Sequence, residues 1–461
     1  MLEGLEIAIV NFSELSKVID YRIEAEYFAH KFLKIDDILS QIETIPFTKV
    51  ATFINGRPYN SDCFNSIEGV RVSKIGDVTN RREITEWEYV KSGEFINQKG
   101  KLLVDGDILM TLTGDPPDVG KVNFIRNPQN ASWNQRVAKI RIKSTQKMYS
   151  SNDVLFAVLT TEFVRSQLER YAKGIRQRNL GNESLDRLLV PVLSENTQKM
   201  IEKSIKLSFS SLSESQRLYN DAEDQLLEEL GLKDWQPSNV PVNIKQLKES
   251  FLASGRLDAE YYQTKYEDYA GFIRKYKNGF DVLGNVCSLN EKNFNPEDDI
   301  KYNYIELSNI GNSGEITGCT SAIGAELPSR ARRLVHTNDV IVSSIEGSLQ
   351  SVALVTDEYD KAICSTGFYV VESETINPET LLVLFKSEPM QNLLKQGCSG
   401  TILTAIGRNE LHNIVMPKIR NEVQKEIAEY VQKSISLRKE AKQLLENAKL
   451  QVEDAISTPP I

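Results

Sequence analysis

Apolar residues recur at alternating steps of four and three over two long stretches of the chain, residues 196–231 and 421–461. A spacing of 3.5 residues predicts a helix whose apolar seam packs against another helix. Gly231 closes the first stretch and Pro459 lies near the end of the second, and both residue types stop helices. We therefore expect two long, antiparallel coiled-coil helices with a seam of Ile201, Ile205, Leu212, Tyr219, Leu226, Ile427, Val431, Leu445 and Val452.

The region before each long helix has a different pattern. Short runs of β-branched and aromatic residues alternate there with loops rich in Gly, Asn and Pro, which predicts strands joined by turns. Residues 153–173 and 378–396 have helical patterns, and the strands are expected at residues 70–75, 107–112, 137–142, 304–307, 340–342 and 367–371. The predicted fold class is α+β.

The two halves of the chain are copies of one unit. Residues 22–28 (Arg-Ile-Glu-Ala-Glu-Tyr-Phe) recur as residues 256–262 (Arg-Leu-Asp-Ala-Glu-Tyr-Tyr). Residues 155–202 align without a gap on residues 381–428, with identical pairs that include Gly174/Gly400, Gly181/Gly407, Leu185/Leu411, Pro191/Pro417 and Gln198/Gln424. We predict α+β domains at 1–195 and 256–420, each followed by its helix (196–231 and 421–461), and a linker at 232–255.

Charged residues are distributed unevenly between the two halves of the chain. The chain has 55 Lys and Arg against 64 Asp and Glu, a net charge of −9 that argues against a simple nucleic-acid-binding protein. Residues 31–150 hold 18 basic and 14 acidic residues (+4), whereas residues 265–380 hold 10 and 18 (−8). The first domain could therefore hold a polyanion unaided, but the second could do so only through local basic clusters.

Few residues are suited to metal or histidine chemistry. The three histidines are far apart, and the five cysteines contain no Cys-x-x-Cys pair, which argues against a zinc site and favours a reducing cytoplasm. No apolar run approaches the ~18 residues that span a bilayer, and the first residues lack the basic flank of a signal peptide. We expect a cytoplasmic protein that does not contact membranes.

Several polar loops combine side chains that can bind base edges. Asn and Gln can form paired hydrogen bonds with adenine, and Arg can do so with guanine. The alternative is that these glycine-flanked segments are solvated turns. The candidate DNA-binding residues are Arg81, Arg82, Asn134, Gln135, Arg136, Arg176, Gln177 and Arg178 in the first copy, and Arg330, Arg332, Arg333, Ser365, Thr401, Thr404 and Arg408 in the second.

One segment is similar to an enzyme motif. The segment Asp115-Pro-Pro-Asp118 resembles the Asp-Pro-Pro-aromatic motif of amino-methylating DNA methyltransferases. Asp118 cannot stack on a flipped base as the aromatic residue does, and no glycine-rich cofactor loop precedes it. We interpret the segment as a proline turn and predict no catalytic, cofactor-binding or metal-binding residue in this chain.

The order of these motifs, found twice, resembles the specificity subunit of type I restriction-modification systems. The similarity includes the Arg-x-acid-Ala-Glu-Tyr-aromatic motif, Asp107-Ile-Leu followed by Gly120-Lys-Val, Trp133-Asn-Gln-Arg-Val137, and the repeated Gly, Gly, Leu, Pro and Gln positions. The second copy departs from the pattern, with Cys364-Ser-Thr366 in place of Trp133-Asn-Gln135 and Glu346-Gly-Ser-Leu in place of the Gly-Lys-Val loop.

The resemblance implies a non-catalytic DNA-recognition subunit. Two target-recognition domains would each read one half of a split site in double-stranded DNA, and the long antiparallel helices would join them. Two methyltransferase subunits would dock on the chain and bind the methyl donor, and a motor/nuclease subunit would complete the complex. Two other hypotheses remain: a coiled-coil interaction scaffold without nucleic acid, and a stand-alone enzyme with an unrecognised site.

Overall fold

The chain forms two compact units in a computed structural model. The first unit comprises Met1–Ser210 with Glu440–Ile461, and the second comprises Ser211–Lys439. The structure describes residues 8–12, 24–64, 67–80, 84, 87–91, 93, 102–115, 118–174, 177–238, 240–400 and 404–457. Both units mix helices with mainly antiparallel strands, which confirms the predicted α+β class.

The first unit contains six shorter helices and eleven strands among its described residues. The helices are α1 His30–Gln41, α2 Phe47–Val50, α3 Ile75–Thr79, α4 Asn152–Thr160, α5 Glu162–Tyr171 and α6 Asn182–Arg187. The strands are β1 Thr44–Pro46, β2 Ala51–Asn55, β3 Val70–Ser73, β4 Tyr89–Val90, β5 Ile108–Thr111, β6 Thr113–Gly114, β7 Val122–Phe124, β8 Ala131–Trp133, β9 Val137–Ile142, β10 Arg178–Asn179 and β11 Leu189–Pro191.

The second unit repeats this order of elements. Helix α7, Glu195–Leu230, begins in the first unit and ends in the second. The shorter helices of the second unit are α8 Phe251–Ser254, α9 Thr264–Arg274, α10 Leu283–Val286, α11 Pro378–Lys386, α12 Glu388–Gly397 and α13 Arg408–His412. Its strands are β12 Phe280–Val282, β13 Ser288–Asn290, β14 Lys301–Ile305, β15 Thr320–Ile323, β16 Ala331–Leu334, β17 Val340–Ser343, β18 Val352–Leu354, β19 Ile363–Ser365, β20 Phe368–Glu372, β21 Cys398–Ser399, β22 Ala405–Ile406 and β23 Val415–Pro417. Helix α14, Asn421–Ser457, ends the described chain.

Equivalent strands pair in equivalent ways. The main sheet has the order β2-β9-β5-β7 in the first unit and β13-β20-β17-β18 in the second, and all of its neighbours are antiparallel. A second sheet in each unit contains one parallel pair, β3-β8 or β14-β19. The internal repeat of the sequence is therefore also a repeat of topology.

The pattern-based elements differ from the observed ones mainly at their ends. All six predicted strands are present, but residues 75–79 form the helix α3, because the Asp77 carboxylate accepts a hydrogen bond from the Lys74 backbone N–H at 2.7 Å and starts a helical turn. The helical pattern at 153–173 is divided at Thr161, whose hydroxyl caps α5. The strongly apolar faces of α4 and β5 meet in the core of the first unit.

The long helices α7 and α14 run antiparallel to each other within each unit. In the first unit the Ser208 hydroxyl donates a hydrogen bond to the Ala441 carbonyl at 2.8 Å, and in the second the Ser215 hydroxyl donates one to the Ser434 carbonyl at 2.8 Å. Small hydroxyl side chains thus stand at seam positions where a coiled coil usually has apolar ones. The seam residues Ile201, Ile205, Tyr219, Leu226, Ile427, Val431 and Val452 are buried, and Leu212 and Leu445 are half-buried.

Candidate nucleic-acid interface

The turn between β8 and β9 follows a buried tryptophan that is hydrogen-bonded to strand β2. Trp133 is buried, and its Nε1 donates a hydrogen bond to the Ile54 carbonyl at 3.0 Å. The Lys139 ammonium lies 4.7 Å from the centre of the same ring, within the range of a cation–π contact. These contacts fix the direction in which the next three residues, Asn134, Gln135 and Arg136, leave the sheet.

These three residues have different roles. The Asn134 side-chain oxygen accepts a hydrogen bond from the Arg136 backbone N–H at 2.9 Å, so this side chain shapes the turn. Gln135 and Arg136 are exposed. A side chain can read a base edge only if its polar end reaches the solvent side of the fold, and Gln135 and Arg136 meet that condition.

A fourth residue at this turn was missed in the sequence. Arg57 is exposed, and its carbonyl accepts a hydrogen bond from the Gln135 backbone N–H at 2.8 Å. Gly56 allows this contact, because a Cβ there would lie 2.1 Å from the Asn134 carbonyl oxygen. A glycine and an arginine just after β2 were the available signal, but only the fold shows that they meet residues 134 and 135.

The loop that follows α5 carries the second set of candidates. Gly174 has a φ of +126°, and a Cβ at this position would lie 2.2 Å from the Gln177 carbonyl oxygen, so a glycine is required. Gln177 is exposed. Arg178 is 13% exposed, and its guanidinium donates to the Glu26 carboxylate at 2.6 Å. Arg176 lies outside the described residues, as do Arg81 and Arg82.

Both loops of the first unit are held by the same short segment of backbone. The Leu112 backbone N–H donates to the Arg136 carbonyl at 2.8 Å, and the Leu112 carbonyl accepts from the Leu180 N–H at 2.8 Å. Strand β6 then pairs with β10, with Gly114 opposite Arg178. The fold therefore brings residues 134–136 and 177–178, which are more than forty positions apart, to two sides of residues 112–114.

In the second unit, backbone carbonyls and asparagine side chains accept hydrogen bonds from two of the candidate arginines. Arg333 donates to the Glu291 carbonyl and, at 3.0 Å, to the Asn293 side-chain oxygen. Arg332 donates to the Ser329 carbonyl at 3.0 Å and to Asn295 at 3.2 Å. Both guanidinium groups support the loop around residues 291–295.

The remaining candidates of the second unit are divided between surface and interior. Arg330 and Arg408 are exposed, and Arg408 forms an ion pair with Glu291 at 3.0 Å. Thr404 is half-buried, and its carbonyl accepts from the Glu346 N–H at 2.9 Å. Ser365 is buried, and its hydroxyl accepts from the Gly367 N–H at 3.2 Å, which closes a turn. Thr401 lies outside the described residues.

The repeated aspartates that precede β5 and β17 are both buried and differ in their partners. The Asp107 carboxylate accepts from Arg141 Nε at 2.6 Å and from the Val104 N–H at 2.8 Å. Asp339 accepts from the His336 N–H at 2.7 Å, and burial raises the pKa of its carboxyl to about 6. Both carboxylates hold turns at the start of a core strand, which is a structural role.

The described residues also bear on metal binding and on membrane insertion. They contain no cluster of three or more His, Cys, Asp or Glu side chains that could hold a metal ion. Within the same residues, no helix combines the length and the apolar character needed to cross a bilayer.

Comparison with known proteins gives structural matches only. No protein-family profile and no curated protein matches the chain. A solved type I restriction-modification S subunit from M. genitalium is 12% identical, with a TM-score of 0.41, and the match covers 91% of this chain and 96% of that one. The HsdS subunit from Thermoanaerobacter tengcongensis is 12% identical, with a TM-score of 0.29 and coverages of 90% and 96%. A structure described by complex assembly and conformational transition of the type I R-M system is likewise 12% identical, with a TM-score of 0.28 and coverages of 90% and 97%.

Proposed function

We propose that this chain is the DNA-specificity subunit of a type I restriction-modification complex. Each unit would read one half of a split site in double-stranded DNA. The observation that carries the proposal is a framework repeated contact by contact, on which the exposed loops differ between the two copies.

The repeated glutamines show how closely the framework is reproduced. The Gln198 side chain accepts from the Ser150 N–H at 2.8 Å and donates to the Met148 and Leu193 carbonyls at 2.8 and 3.0 Å. The Gln424 side chain accepts from the Asn377 N–H at 2.8 Å and donates to the Thr375 and Ile419 carbonyls at 3.0 and 2.9 Å. In both units one glutamine joins the long helix to the segment before a pair of helices, α4 and α5 in the first unit and α11 and α12 in the second.

The loops on this framework have diverged. Gln135 and Arg136 end the turn of the first unit, whereas Ser365 and Thr366 stand near the equivalent place in the second. An arginine can form paired hydrogen bonds with the O6 and N7 atoms of guanine, which the shorter side chains cannot reproduce. Two copies of one scaffold with different reading groups are suited to two different half-sites, as the motif resemblance also implies.

The charge of the chain supports a complex in which partner subunits bind the DNA phosphates and this chain reads the bases. DNA-binding proteins take much of their affinity from phosphate contacts made by Lys and Arg. The acidic second copy, at −8 over residues 265–380, offers few such contacts, so base reading by this chain would need phosphate binding elsewhere. We assign that binding, the methyl donor and the chemistry to two methyltransferase subunits, and DNA translocation and cleavage to a motor/nuclease subunit. This chain would itself be non-catalytic.

The test is the methylation pattern of a host that expresses the chain with a methyltransferase partner. We expect a modified sequence of two specific halves separated by a non-specific gap. The Arg136→Ala variant should relax the preference in one half only, with about 1–3 kcal/mol of discrimination lost for one paired base contact.

A matched variant controls for charge. Lys147 is exposed in the same unit and lies outside the two loops that carry the candidates, so Lys147→Ala removes one positive charge without changing the turn at residues 134–136. Modification of a single continuous sequence by an active pair would contradict the proposal. So would equal effects of Arg136→Ala and Lys147→Ala. No DNA binding even with partners present would favour the interaction scaffold.

A further inference from the structure

We call residues 24–28 in the first unit and 256–262 in the second the tyrosine motif. It contacts the start of the loop that carries the second set of DNA-binding candidates, the loop that follows α5 in the first unit and α12 in the second. In the second unit the Arg256 guanidinium donates to the Cys398 carbonyl at 3.0 Å and to the Gln396 carbonyl at 3.4 Å. Helix α12 ends at Gly397, and the last carbonyls of a helix lack partners inside it. The arginine therefore binds the end of α12 and the first residue of β21.

The Arg256 side chain is itself held on three sides. It is 16% exposed, pairs with the Asp258 carboxylate at 2.8 Å, and lies over the Tyr261 ring with 4.4 Å between guanidinium carbon and ring centre. Gln396 returns the contact, because its Nε2 donates to the Tyr261 carbonyl at 3.0 Å. A planar, five-donor group is needed to serve a carboxylate, two carbonyls and a ring face at once.

The first unit contains the same contact at the equivalent positions. Arg170 corresponds to Gln396 in the gapless alignment, and its Nε donates to the carbonyl of Tyr27, the equivalent of Tyr261, at 2.9 Å. The Arg170 guanidinium also covers the Tyr27 ring at 4.4 Å. Glu26, the neighbour of Tyr27, binds Arg178 on the far side of the Gly174 loop. The tyrosine motif therefore contacts both flanks of this loop in the first unit and the preceding flank in the second.

A short series of contacts leads from Arg256 to the candidate reading residues. Strand β21, whose first carbonyl Arg256 binds, pairs with β22, with Cys398 opposite Ile406. Ile406 also lies against Gly397, where an added Cβ would be 2.6 Å from its Cδ1 atom. Thr404 directly precedes β22 and Arg408 begins α13, so both residues are attached to the strand pair that Arg256 holds.

We propose that Arg256 is a positioning residue that sets base discrimination in one half-site by holding β21 and β22, and with them Thr404 and Arg408. The inference rests on the proposed DNA-reading function. It assigns to the tyrosine motif a role in recognition in addition to the structural contacts described above.

The first experiment measures loop position without DNA. In the full chain, Arg256→Ala should speed amide hydrogen exchange at residues 398–400 and 404–407 by roughly ten-fold or more, because opening of this strand pair becomes easier. Exchange in α7 should not change. Arg256→Lys should have a smaller effect, since an ammonium can donate to one carbonyl but cannot serve the whole set. Unchanged exchange at 398–407 in Arg256→Ala would overturn the proposal.

The second experiment measures recognition and separates the two levels of inference. Binding of half-site-scrambled duplexes by the assembled complex is compared for the parent, for Arg256→Ala and for Arg274→Ala, which removes an exposed arginine of the same unit. We expect Arg256→Ala to lower discrimination at one half-site by about ten-fold and Arg274→Ala to leave it unchanged. Gln396→Ala, which removes a contact to Tyr261 without changing charge, should lower it in the same half.

The outcomes show whether the proposed DNA-reading function or the positioning role of Arg256 is wrong. If the parent complex shows no half-site preference, the DNA-reading function itself is wrong. If the parent reads both halves and Arg256→Ala reads them equally well, the DNA-reading function stands and the positioning role of Arg256 is wrong.

Discussion

Each long helix has a glutamine in its first turn, Gln198 in α7 and Gln424 in α14. Replacing it should lower the free energy of unfolding of its unit more than replacing most other polar residues. Gln424 is 5% exposed, and its side chain makes three hydrogen bonds, each 2.8–3.0 Å long, to backbone groups on two other segments. In Gln424→Ala, the Asn377 N–H and the Thr375 and Ile419 carbonyls lose these partners. None of the three can be satisfied by an alanine.

The size of the effect follows from those three bonds. A hydrogen bond contributes about 0.5–1.5 kcal/mol net, and a buried group left without a partner costs about 1–3 kcal/mol. Allowing for some rescue by water at the helix end, we expect a loss of about 3 kcal/mol in the free energy of unfolding of the second unit. For a unit of this size that corresponds to a fall of roughly 6–12 °C in its Tm.

The tryptophans allow each unit to be followed separately. The chain has three, with Trp87 and Trp133 in the first unit and Trp235 in the second. In protein labelled with fluorotryptophan, ¹⁹F spectra recorded against urea concentration should show the Trp235 transition at lower urea in Gln424→Ala. The equivalent Gln198→Ala should move the Trp87 and Trp133 transitions instead.

A control variant tests whether the hydrogen bonds of Gln424, and not its identity in both copies, account for the loss of stability. Lys425 is the next residue, is also identical in both copies (Lys199), and is exposed. Lys425→Ala should change the free energy of unfolding by less than about 0.5 kcal/mol. A Trp235 midpoint in Gln424→Ala that matches that of Lys425→Ala would contradict the prediction, because the three buried bonds would then contribute nothing measurable.

Two further predictions concern backbone and charge. Gly174→Ala should destabilise the first unit by about 1–3 kcal/mol in urea titration, because φ is +126° and the Cβ would collide with the Gln177 carbonyl. Gly181→Ala, with an ordinary φ of −81° and open space, should cost less, about 0.5 kcal/mol for replacing the glycine N-cap of α6 by alanine, and equal costs would contradict this explanation. The raised pKa of Asp339, about 6 against 3.8, means that the folded state holds its proton more tightly, so stability falls as pH rises from about 4 to about 6. Asp339→Asn should flatten that part of the stability–pH curve measured by denaturant titration, and an unchanged slope would assign the pH dependence to other groups.

The periodic parts of the fold were readable from the sequence. The 3.5-residue seam predicted both long helices to within one residue at their starts, because burial of one helix face imposes that period wherever it occurs. The strand β9 was predicted with its observed bounds, Val137–Ile142, from a short run rich in β-branched residues. Identities between the copies located the glycines and the glutamine whose contacts the fold repeats.

The site was less readable, because its contacts join distant segments. No local pattern indicates that Glu26 binds Arg178, 152 positions away, or that Arg57 lies beside Gln135. The local cluster Arg330-Ala-Arg-Arg333 predicted that Arg332 and Arg333 could bind DNA, and no local pattern indicates that both also contact the loop at 291–295. Residue type predicts which side chains can read a base, whereas the fold decides which of them face solvent.

The division of α14 between the units has a consequence for how the protein is made. Ala448, Val452 and Ile456 belong to the buried core that also contains Ile201, Ile205 and the β5 residues of the first unit. A ribosome synthesises those three residues about 240 positions after Ile205. The half of the protein that is translated first therefore cannot close its core until nearly the whole chain has emerged, so its apolar surface has to be protected during synthesis. The half translated second, by contrast, lacks no segment of its own by Lys439.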